Sequence, residues 1–164
     1  MNESLGKWGT VEIAGHPCDV FEPPARDERG FAVIYLHGVR VARLSENEVF
    51  TAEFAKHRLP VIAPITGQSW WADRISPDFD PQLTAVWHVL ANIVPWMADC
   101  WGATPPRTGL LGTSMGGQGA LRLAFKHPST FPVVAAISPA IDYQNRFDEG
   151  DQVLWAMYDD RESV

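Results

Sequence analysis

The stretch Leu110-Leu111-Gly112-Thr113-Ser114-Met115-Gly116-Gly117-Gln118-Gly119-Ala120-Leu121 has the order of a strand end, a sharp turn and a helix start. It contains Gly-x-Ser-x-Gly centred on Ser114. Glycines two positions before and after the serine permit a turn in which neighbouring backbone comes too close for side chains, and the turn holds the serine with Oγ projecting outward. Ser114 is therefore the candidate nucleophile. The alternative is a Gly-rich turn with a merely exposed serine.

The flanks of this turn favour the first interpretation. Arg107 to Leu111 form a short run typical of a buried strand, and Gly119 to His127 carry apolar residues at helical spacing until Pro128. A pentapeptide motif alone occurs by chance, so its position between a strand and a helix is what makes it informative.

Length and composition indicate one globular domain spanning residues 1–164. Of the 164 residues, 46% are hydrophobic and 20% are charged, which is ordinary for a folded domain. The chain has 13 Lys and Arg against 20 Asp and Glu, a formal net charge of -7. Since no cluster of basic residues could follow phosphates, nucleic acid is not expected as a partner.

The sequence lacks the usual signals for disulfides, metals and membranes. Cys18 and Cys100 form no C-x-x-C pair and predict buried or free thiols rather than a disulfide framework. Met1 to Lys7 lack the apolar run of a signal peptide, and no later run approaches the ~18 residues of a membrane span. A soluble cytoplasmic protein without a metal is expected.

Strands and helices alternate along the chain. An opening hairpin is predicted from Trp8 to Phe21. Four buried strands are predicted at Phe31 to Leu36, Pro60 to Ile65, Arg107 to Leu111 and Val133 to Ile137. Helices are predicted from Glu48 to His57, from about Pro81 to Ala98 and after Met115. This order predicts an α/β fold with four neighbouring parallel strands, an antiparallel hairpin at the start, and helices on both faces.

Three details of these elements are also predicted. Asn47 is expected to cap the first helix, with Val49, Phe50, Phe54 and Ala55 on its buried side. Pro95 is expected to bend or end the second helix. Asp142 to Val164 form a polar tail with a short helix around residues 153–158.

Further motifs accompany the serine turn: Leu36-His37-Gly38, His127-Pro128 with Phe131, and Ala136-Ile137-Ser138-Pro139. Together they resemble the α/β-hydrolase superfamily, and within it the esterases around esterase D, which include S-formylglutathione hydrolases. The resemblance implies an α/β-hydrolase-type sheet and hydrolysis of a small-molecule carboxylic ester or thioester through an acyl-enzyme on Ser114, with no cofactor. It also implies an oxyanion hole formed by backbone N–H groups, from Met115 and from Val39 or Gly38.

Four residues are candidates for the substrate pocket: His37, Trp70, Trp71 and Gln118. The tryptophans lie in a long loop from Gly67 to Pro81, on the carboxyl side of the sheet where open α/β folds bind ligands. The alternative is that they pack this loop onto the core, with Asp73 and Arg74 as a surface pair. His37 is expected to order the oxyanion loop rather than to take part in catalysis, and His88 to be a structural histidine with its hydrogen bonds satisfied.

The sequence departs from the family in its missing general base. In this fold the triad follows the order Ser, Asp or Glu, then His. The only histidine after Ser114 is His127, thirteen residues along the same predicted helix, which places it roughly 20 Å from the nucleophile. Asp and Glu residues follow, but none has a histidine after it.

Three explanations for the missing base are open. Family members usually continue for two more strands, so the simplest expectation is that residues 1–164 are the N-terminal portion of a longer domain, whose last strands would cover the open edge at Val133 to Ile137. The second explanation is that another chain, as in a homo-oligomer, covers this edge and supplies the base. The third is a hydrolase-like module that binds without turnover. An acyltransferase of the mycolyltransferase-like kind, with a similar Ser-Met-Gly-Gly elbow, is the alternative within the same chemistry.

Overall fold

The computed structural model describes residues 5–164. The prediction that Met1 to Lys7 form no signal peptide falls mainly on residues 1–4, outside the described range. The described strands form one sheet of six in the order β1-β2-β4-β3-β5-β6. They are β1 (Lys7–Ile13), β2 (His16–Glu22), β3 (Ala32–Leu36), β4 (Val61–Pro64), β5 (Thr108–Thr113) and β6 (Val133–Ile137).

The predicted hairpin and parallel strands are confirmed. β1 and β2 pair antiparallel with Ile13 opposite His16, and the two turn residues Ala14 and Gly15 have φ values of 50° and 81°, as tight hairpin turns require. β2 pairs antiparallel with β4. The pairs β4 with β3, β3 with β5, and β5 with β6 are all parallel.

This register brings three chain segments to one edge of the sheet. Leu36 of β3 is paired with Gly112 of β5, and Thr113 of β5 is paired with Ile137 of β6. His37, Ser114 and Ser138 therefore follow neighbouring strands at the carboxyl edge, where parallel sheets place their ligand sites.

Helices cover both faces of the sheet, as predicted. They are α1 (Glu48–Lys56), α2 (Ala85–Trp87), α3 (Val94–Trp101), α4 (Met115–Lys126), α5 (Tyr143–Asp148) and α6 (Gln152–Met157). Phe54 of α1 packs with Tyr35 on one face, whereas Ile93 and Leu123 belong to the larger core on the other face. No helix among residues 5–164 has the length and apolar character that a membrane crossing needs.

The start of α1 confirms one prediction and corrects another. The Asn47 side chain accepts hydrogen bonds from the backbone N–H groups of Val49 and Phe50, so it is the predicted cap. Val49, however, is 75% exposed. Phe50 and Phe54, four residues apart, define the inward stripe, and Val49 lies about 100° around the helix from Phe50.

The second long helix begins and ends later than predicted, because it runs from Ala85 to Trp101 rather than from Pro81 to Ala98. It begins at Ala85 rather than Pro81, because the Asp80 carboxylate accepts from the N–H groups of Gln82 and Leu83 and forms a separate turn. α2 continues through a π-helical turn, His88–Ile93, into α3. Pro95 therefore does not end the helix, since the wider turn before it accommodates the missing N–H.

The end of the described chain is not a polar tail. Leu154, Met157 and Tyr158 are buried and join the larger core, so α6 packs against the rest of the domain. β6 is also corrected: it was predicted to be buried, but Val133 is 62% and Ile137 41% exposed. Among the described strands β6 pairs with β5 alone, so its outer side is an open edge.

Candidate active site

Ser114 occupies a strained turn between β5 and α4. Its φ of 55° and ψ of -116° place a residue with a Cβ in a region that normally suits glycine, at a cost of about 1–3 kcal/mol. Three backbone hydrogen bonds hold this conformation: Ser114 N–H donates to the Ile137 carbonyl at 2.9 Å, and the Ser114 carbonyl accepts from the N–H groups of Ala140 at 3.0 Å and of Gln118 at 3.2 Å. The strained conformation expected of a nucleophile elbow is therefore present.

Close backbone contact explains the glycines of this turn. A Cβ on Gly112 would lie 2.0 Å from the Gly116 carbonyl oxygen, and a Cβ on Gly116 would lie 1.9 Å from the Leu36 carbonyl oxygen. A Cβ on Gly119 would lie 2.4 Å from Trp71 Cβ. Because backbone cannot yield as a flexible side chain can, these positions exclude larger residues and fix α4 against the end of β3.

The loop after β3 lies directly beside Ser114. A Cβ on Gly38 would lie 3.4 Å from Ser114 Cβ. Met115 is the first residue of α4, so its N–H has no acceptor four residues earlier in the helix. The Val39 N–H has no backbone acceptor within the described residues. Two N–H groups near a nucleophile are what an oxyanion hole requires, and the roles of Met115, Val39 and Gly38 stay predictions.

His37 is tied into this loop through both ring nitrogens. Its Nδ1 lies 2.9 Å from the Gly38 carbonyl oxygen, and its Nε2 lies 3.1 Å from the Thr66 backbone N–H. This network assigns the proton to Nδ1 and makes Nε2 an acceptor. Burial lowers the pKa of His37, and the bond to Gly38 partly offsets that effect. The ring is thus neutral, and both of its nitrogens already have hydrogen-bond partners. This supports the loop-ordering role rather than a pocket or catalytic role.

Trp70 and Trp71 do not wall an open pocket. Trp70 is 1% and Trp71 0% exposed, because the loop folds inward and packs both rings into the core. Trp71 Nε1 donates to the His37 carbonyl at 3.0 Å. Gln118, the fourth pocket candidate, is also buried and donates through Nε2 to the Trp70 carbonyl. The four candidates are brought together, but as a packed layer behind the elbow.

The predicted surface pair of Asp73 and Arg74 is not formed. Asp73 accepts a hydrogen bond from the Thr84 hydroxyl at 3.0 Å, whereas the Arg74 guanidinium lies 4.7 Å from the centre of the Tyr158 ring.

Tyr143 and Arg122 belong to the same layer and were missed by sequence reasoning. The Tyr143 hydroxyl donates to the Trp70 carbonyl at 3.2 Å and lies 2.7 Å from Arg122 Nη2. Burial raises the pKa of Tyr143 well above its usual value, so the phenol is neutral and can donate. No local pattern signals this contact, because Tyr143 and Trp70 are 73 residues apart in the chain.

The Ser114 hydroxyl forms no side-chain hydrogen bond with any described residue. His127 immediately follows α4 at the end opposite Ser114, roughly 20 Å away along the helix. This agrees with the expectation that His127 is not the base.

His88 is buried against the rings of His16 and Phe79, and one of its nitrogens lacks a partner among the described residues. Its Nδ1 lies 3.3 Å from Asn92 Nδ2, but its Nε2 is buried without a hydrogen-bond partner in the described part of the chain. Burial and the nearby His16 lower the pKa of His88 to about 4. The expectation of a fully satisfied histidine is therefore wrong for Nε2.

Comparison with known proteins identifies relatives over almost the whole chain. A family model described as "Putative esterase" matches residues 17–163. A protein of Bacillus subtilis described as "Uncharacterized protein YbbA" is 26% identical over 143 residues, which cover 77% of this chain and 57% of that protein.

Solved structures show the same fold. FphF, a fluorophosphonate-binding serine hydrolase of Staphylococcus aureus, is similar with a TM-score of 0.69 and 17% identity, over 97% of this chain and 65% of its own. MPT51 of Mycobacterium tuberculosis gives a TM-score of 0.66 and 20% identity, over 88% and 55%. An S-formylglutathione hydrolase of Agrobacterium tumefaciens gives 0.59 and 19%, over 81% and 56%. The chain thus has an α/β-hydrolase fold and spans less than two thirds of the length of these relatives.

Proposed function

The chain belongs to the family described as "Putative esterase", and from this premise we propose that it is a serine hydrolase of carboxylic esters or thioesters with Ser114 as its nucleophile. The observation that carries the proposal is the strained conformation of Ser114, with φ 55° and ψ -116°, directly beside the Gly38 loop. A fold tolerates such strain where the serine has a use.

In the proposed mechanism, Ser114 Oγ attacks the carbonyl carbon of the ester and its proton passes to a general base. The negative charge that develops on the carbonyl oxygen is stabilised by the N–H groups of Met115 and of Val39 or Gly38, aided by the N-terminus of α4. The base then protonates the leaving alcohol or thiol as the carbonyl re-forms, which leaves an acyl-enzyme. Water attacks this ester with help from the same base and restores Ser114.

We infer that the general base of this mechanism lies outside the described residues. His37 has both ring nitrogens occupied, and His127 lies at the far end of α4. The proposal therefore includes a histidine, with an acidic residue to orient it, supplied by further residues of the same polypeptide or by another chain.

A hydrolase-like module that binds an ester without turnover is the second candidate function. The specific observation in its favour is that the Ser114 hydroxyl has no hydrogen-bond partner within the described residues. A serine without a base is a weak nucleophile at neutral pH, so reactivity separates the two functions.

The test is labelling with a fluorophosphonate, followed by peptide mass spectrometry on the protein as its gene encodes it. We expect Ser114-dependent labelling and hydrolysis of p-nitrophenyl acetate. Ser114→Ala should abolish both, whereas Ser129→Ala, at an exposed serine after the other end of α4, should leave both unchanged. Residues 1–164 alone should hydrolyse the ester barely above background.

Labelling at a different serine would overturn the nucleophile assignment, and absence of labelling in the gene-encoded protein would favour the binding module. Rapid labelling of residues 1–164 alone would mean that a base exists within them or in a second copy. Product analysis with water and a sugar acceptor in competition distinguishes hydrolysis from the acyltransferase alternative.

A further inference from the structure

Two adjacent, fully buried tryptophans differ in what their indole N–H groups do. Trp71 Nε1 donates to the His37 carbonyl oxygen at 3.0 Å, whereas Trp70 Nε1 is buried without a partner in the described part of the chain. Both residues have positive φ, 53° at Trp70 and 48° at Trp71. Two consecutive residues with side chains in this conformation are strained, so the surrounding structure must hold the turn.

We propose that Trp71 is a positioning residue for the oxyanion loop, acting through the His37 carbonyl on the backbone of Gly38 and Val39. The proposal rests on the proposed function, because an oxyanion loop has a purpose only where Ser114 attacks a carbonyl. Trp71 is too deeply buried to touch a substrate, and its effect is transmitted through the backbone.

The geometry of the His37 peptide supports this role. The peptide unit is planar, so fixing the His37 carbonyl also fixes the direction of the Gly38 N–H, which points the opposite way. The carbonyl oxygen lies between Trp71 Nε1 and Gly116, where a Cβ would be 2.7 Å from it. The His37 ring holds the same segment from its other side through Gly38 and Thr66.

The turn that presents Trp71 is itself held from α4 and the segment after β6. The Trp70 carbonyl accepts from Gln118 Nε2 and from the Tyr143 hydroxyl. Gly119 allows Trp71 Cβ to approach within contact of α4. The buried indole of Trp71 therefore contacts both α4 and the oxyanion loop, so it holds these two parts of the site in a fixed position relative to each other.

Trp70 is the matched control for Trp71, since the two are equally buried and differ in the acceptor of the N–H group. The experiment replaces each tryptophan in turn with phenylalanine and with β-(3-benzothienyl)alanine, which keeps the double ring but has sulfur in place of N–H. The benzothienyl variant keeps the packing and so remains informative where the phenylalanine variant fails to fold.

Three measurements are made on each variant: amide hydrogen exchange of Val41 and Thr66 by NMR, the rate of fluorophosphonate labelling at Ser114, and kcat and KM for p-nitrophenyl acetate. The N–H groups of Val41 and Thr66 donate to the Gly38 carbonyl and to His37 Nε2, so their exchange reports on the position of the loop. Loss of the Trp71 N–H should accelerate exchange at Val41 and Thr66 by about tenfold, as expected for one buried hydrogen bond. It should slow labelling by a similar factor and lower kcat with little change in KM. The benzothienyl variant of Trp70, which keeps the double ring and loses only an N–H without a described acceptor, should match the parent in all of these.

Failure of this inference is distinguishable from failure of the proposed function. A parent protein that does not label contradicts the proposed function, while amide exchange still decides whether Trp71 holds the loop. Equal exchange in the Trp70 and Trp71 variants overturns the inference. Faster exchange in the Trp71 variants with labelling unchanged from a reactive parent overturns the positioning role in catalysis.

Discussion

A Cβ on Gly38 would lie 3.4 Å from Ser114 Cβ and 3.2 Å from the Thr113 carbonyl oxygen. The loop after β3 and the Ser114 turn after β5 are therefore in direct contact, with no room between them for a branched side chain. The distance between the proposed nucleophile and the proposed oxyanion donors depends on this contact.

The first prediction concerns Gly38. Gly38→Val should lower the fluorophosphonate labelling rate by at least about 100-fold, because the branched side chain must push the loop away from Ser114 and displace the N–H donors. Gly38→Ala should cause a smaller loss, since its single methyl group needs only a shift of a few tenths of an ångström. Side-chain changes at Met115 or Val39 should have modest effects, because their proposed contribution is from the backbone. Labelling of Gly38→Val at the parent rate would refute the placement of the oxyanion hole.

The second prediction concerns the strain at Ser114. Ser114→Gly should raise the free energy of unfolding by about 1 kcal/mol, since glycine adopts positive φ without the steric cost. The same variant should lose all labelling at this position. Urea denaturation checks the stability, with Ser129→Gly as the control in which no such gain is expected. A less stable Ser114→Gly protein would show that the elbow stores no strain.

The third prediction is a loss of stability in acid that depends on His88. The folded protein holds the pKa of His88 at about 4 through burial, whereas an unfolded chain has a histidine pKa of about 6.5. As pH falls below 6.5, the unfolded state binds a proton that the folded state does not, so the free energy of unfolding decreases, by about 3 kcal/mol at pH 4. Above 6.5 both states are neutral and the contribution is constant.

Urea denaturation between pH 7 and pH 4 measures this effect. His88→Gln should reduce the dependence on pH, while His37, whose pKa burial also lowers, contributes in the same direction in both proteins. Identical pH dependence in the parent and in His88→Gln would contradict the assignment to His88.

The fourth prediction concerns the open edge of the sheet. Val133 is 62% exposed on β6, and an uncovered apolar strand edge promotes association between molecules. Val133→Lys should weaken self-association of residues 1–164 by about tenfold, measured by light scattering over a range of concentrations. Val49→Lys replaces the same residue type at a position that is 75% exposed on α1, a helix whose Phe54 packs in the core on the other face, so it should have a smaller effect.

Local sequence determined the strands, the elbow and the cap of α1. Gly112 and Gly116 around Ser114 predicted a tight turn, because glycine is required where two backbone segments approach closely. The turn is present, and its serine is strained. Asn47 was identified as a cap because an N-cap depends on residues within one turn of helix. The parallel order of the strands followed from the alternation of strands and helices, which leaves few arrangements open.

Tertiary structure alone decided where the side chains of the long loop lie. In the sequence, Trp70 and Trp71 are compatible with both a pocket wall and a packed core. Their burial depends on distant partners: the His37 carbonyl, 34 residues before Trp71, accepts from its indole, and Gln118 and Tyr143, 48 and 73 residues after Trp70, donate to its carbonyl. In the same way, the exposure of Val133 and the burial of Leu154 depend on which elements pack beside them. Hydrophobic pattern and turn chemistry are properties of a few neighbouring residues, whereas burial and hydrogen-bond partners belong to contacts between segments that are distant in the chain.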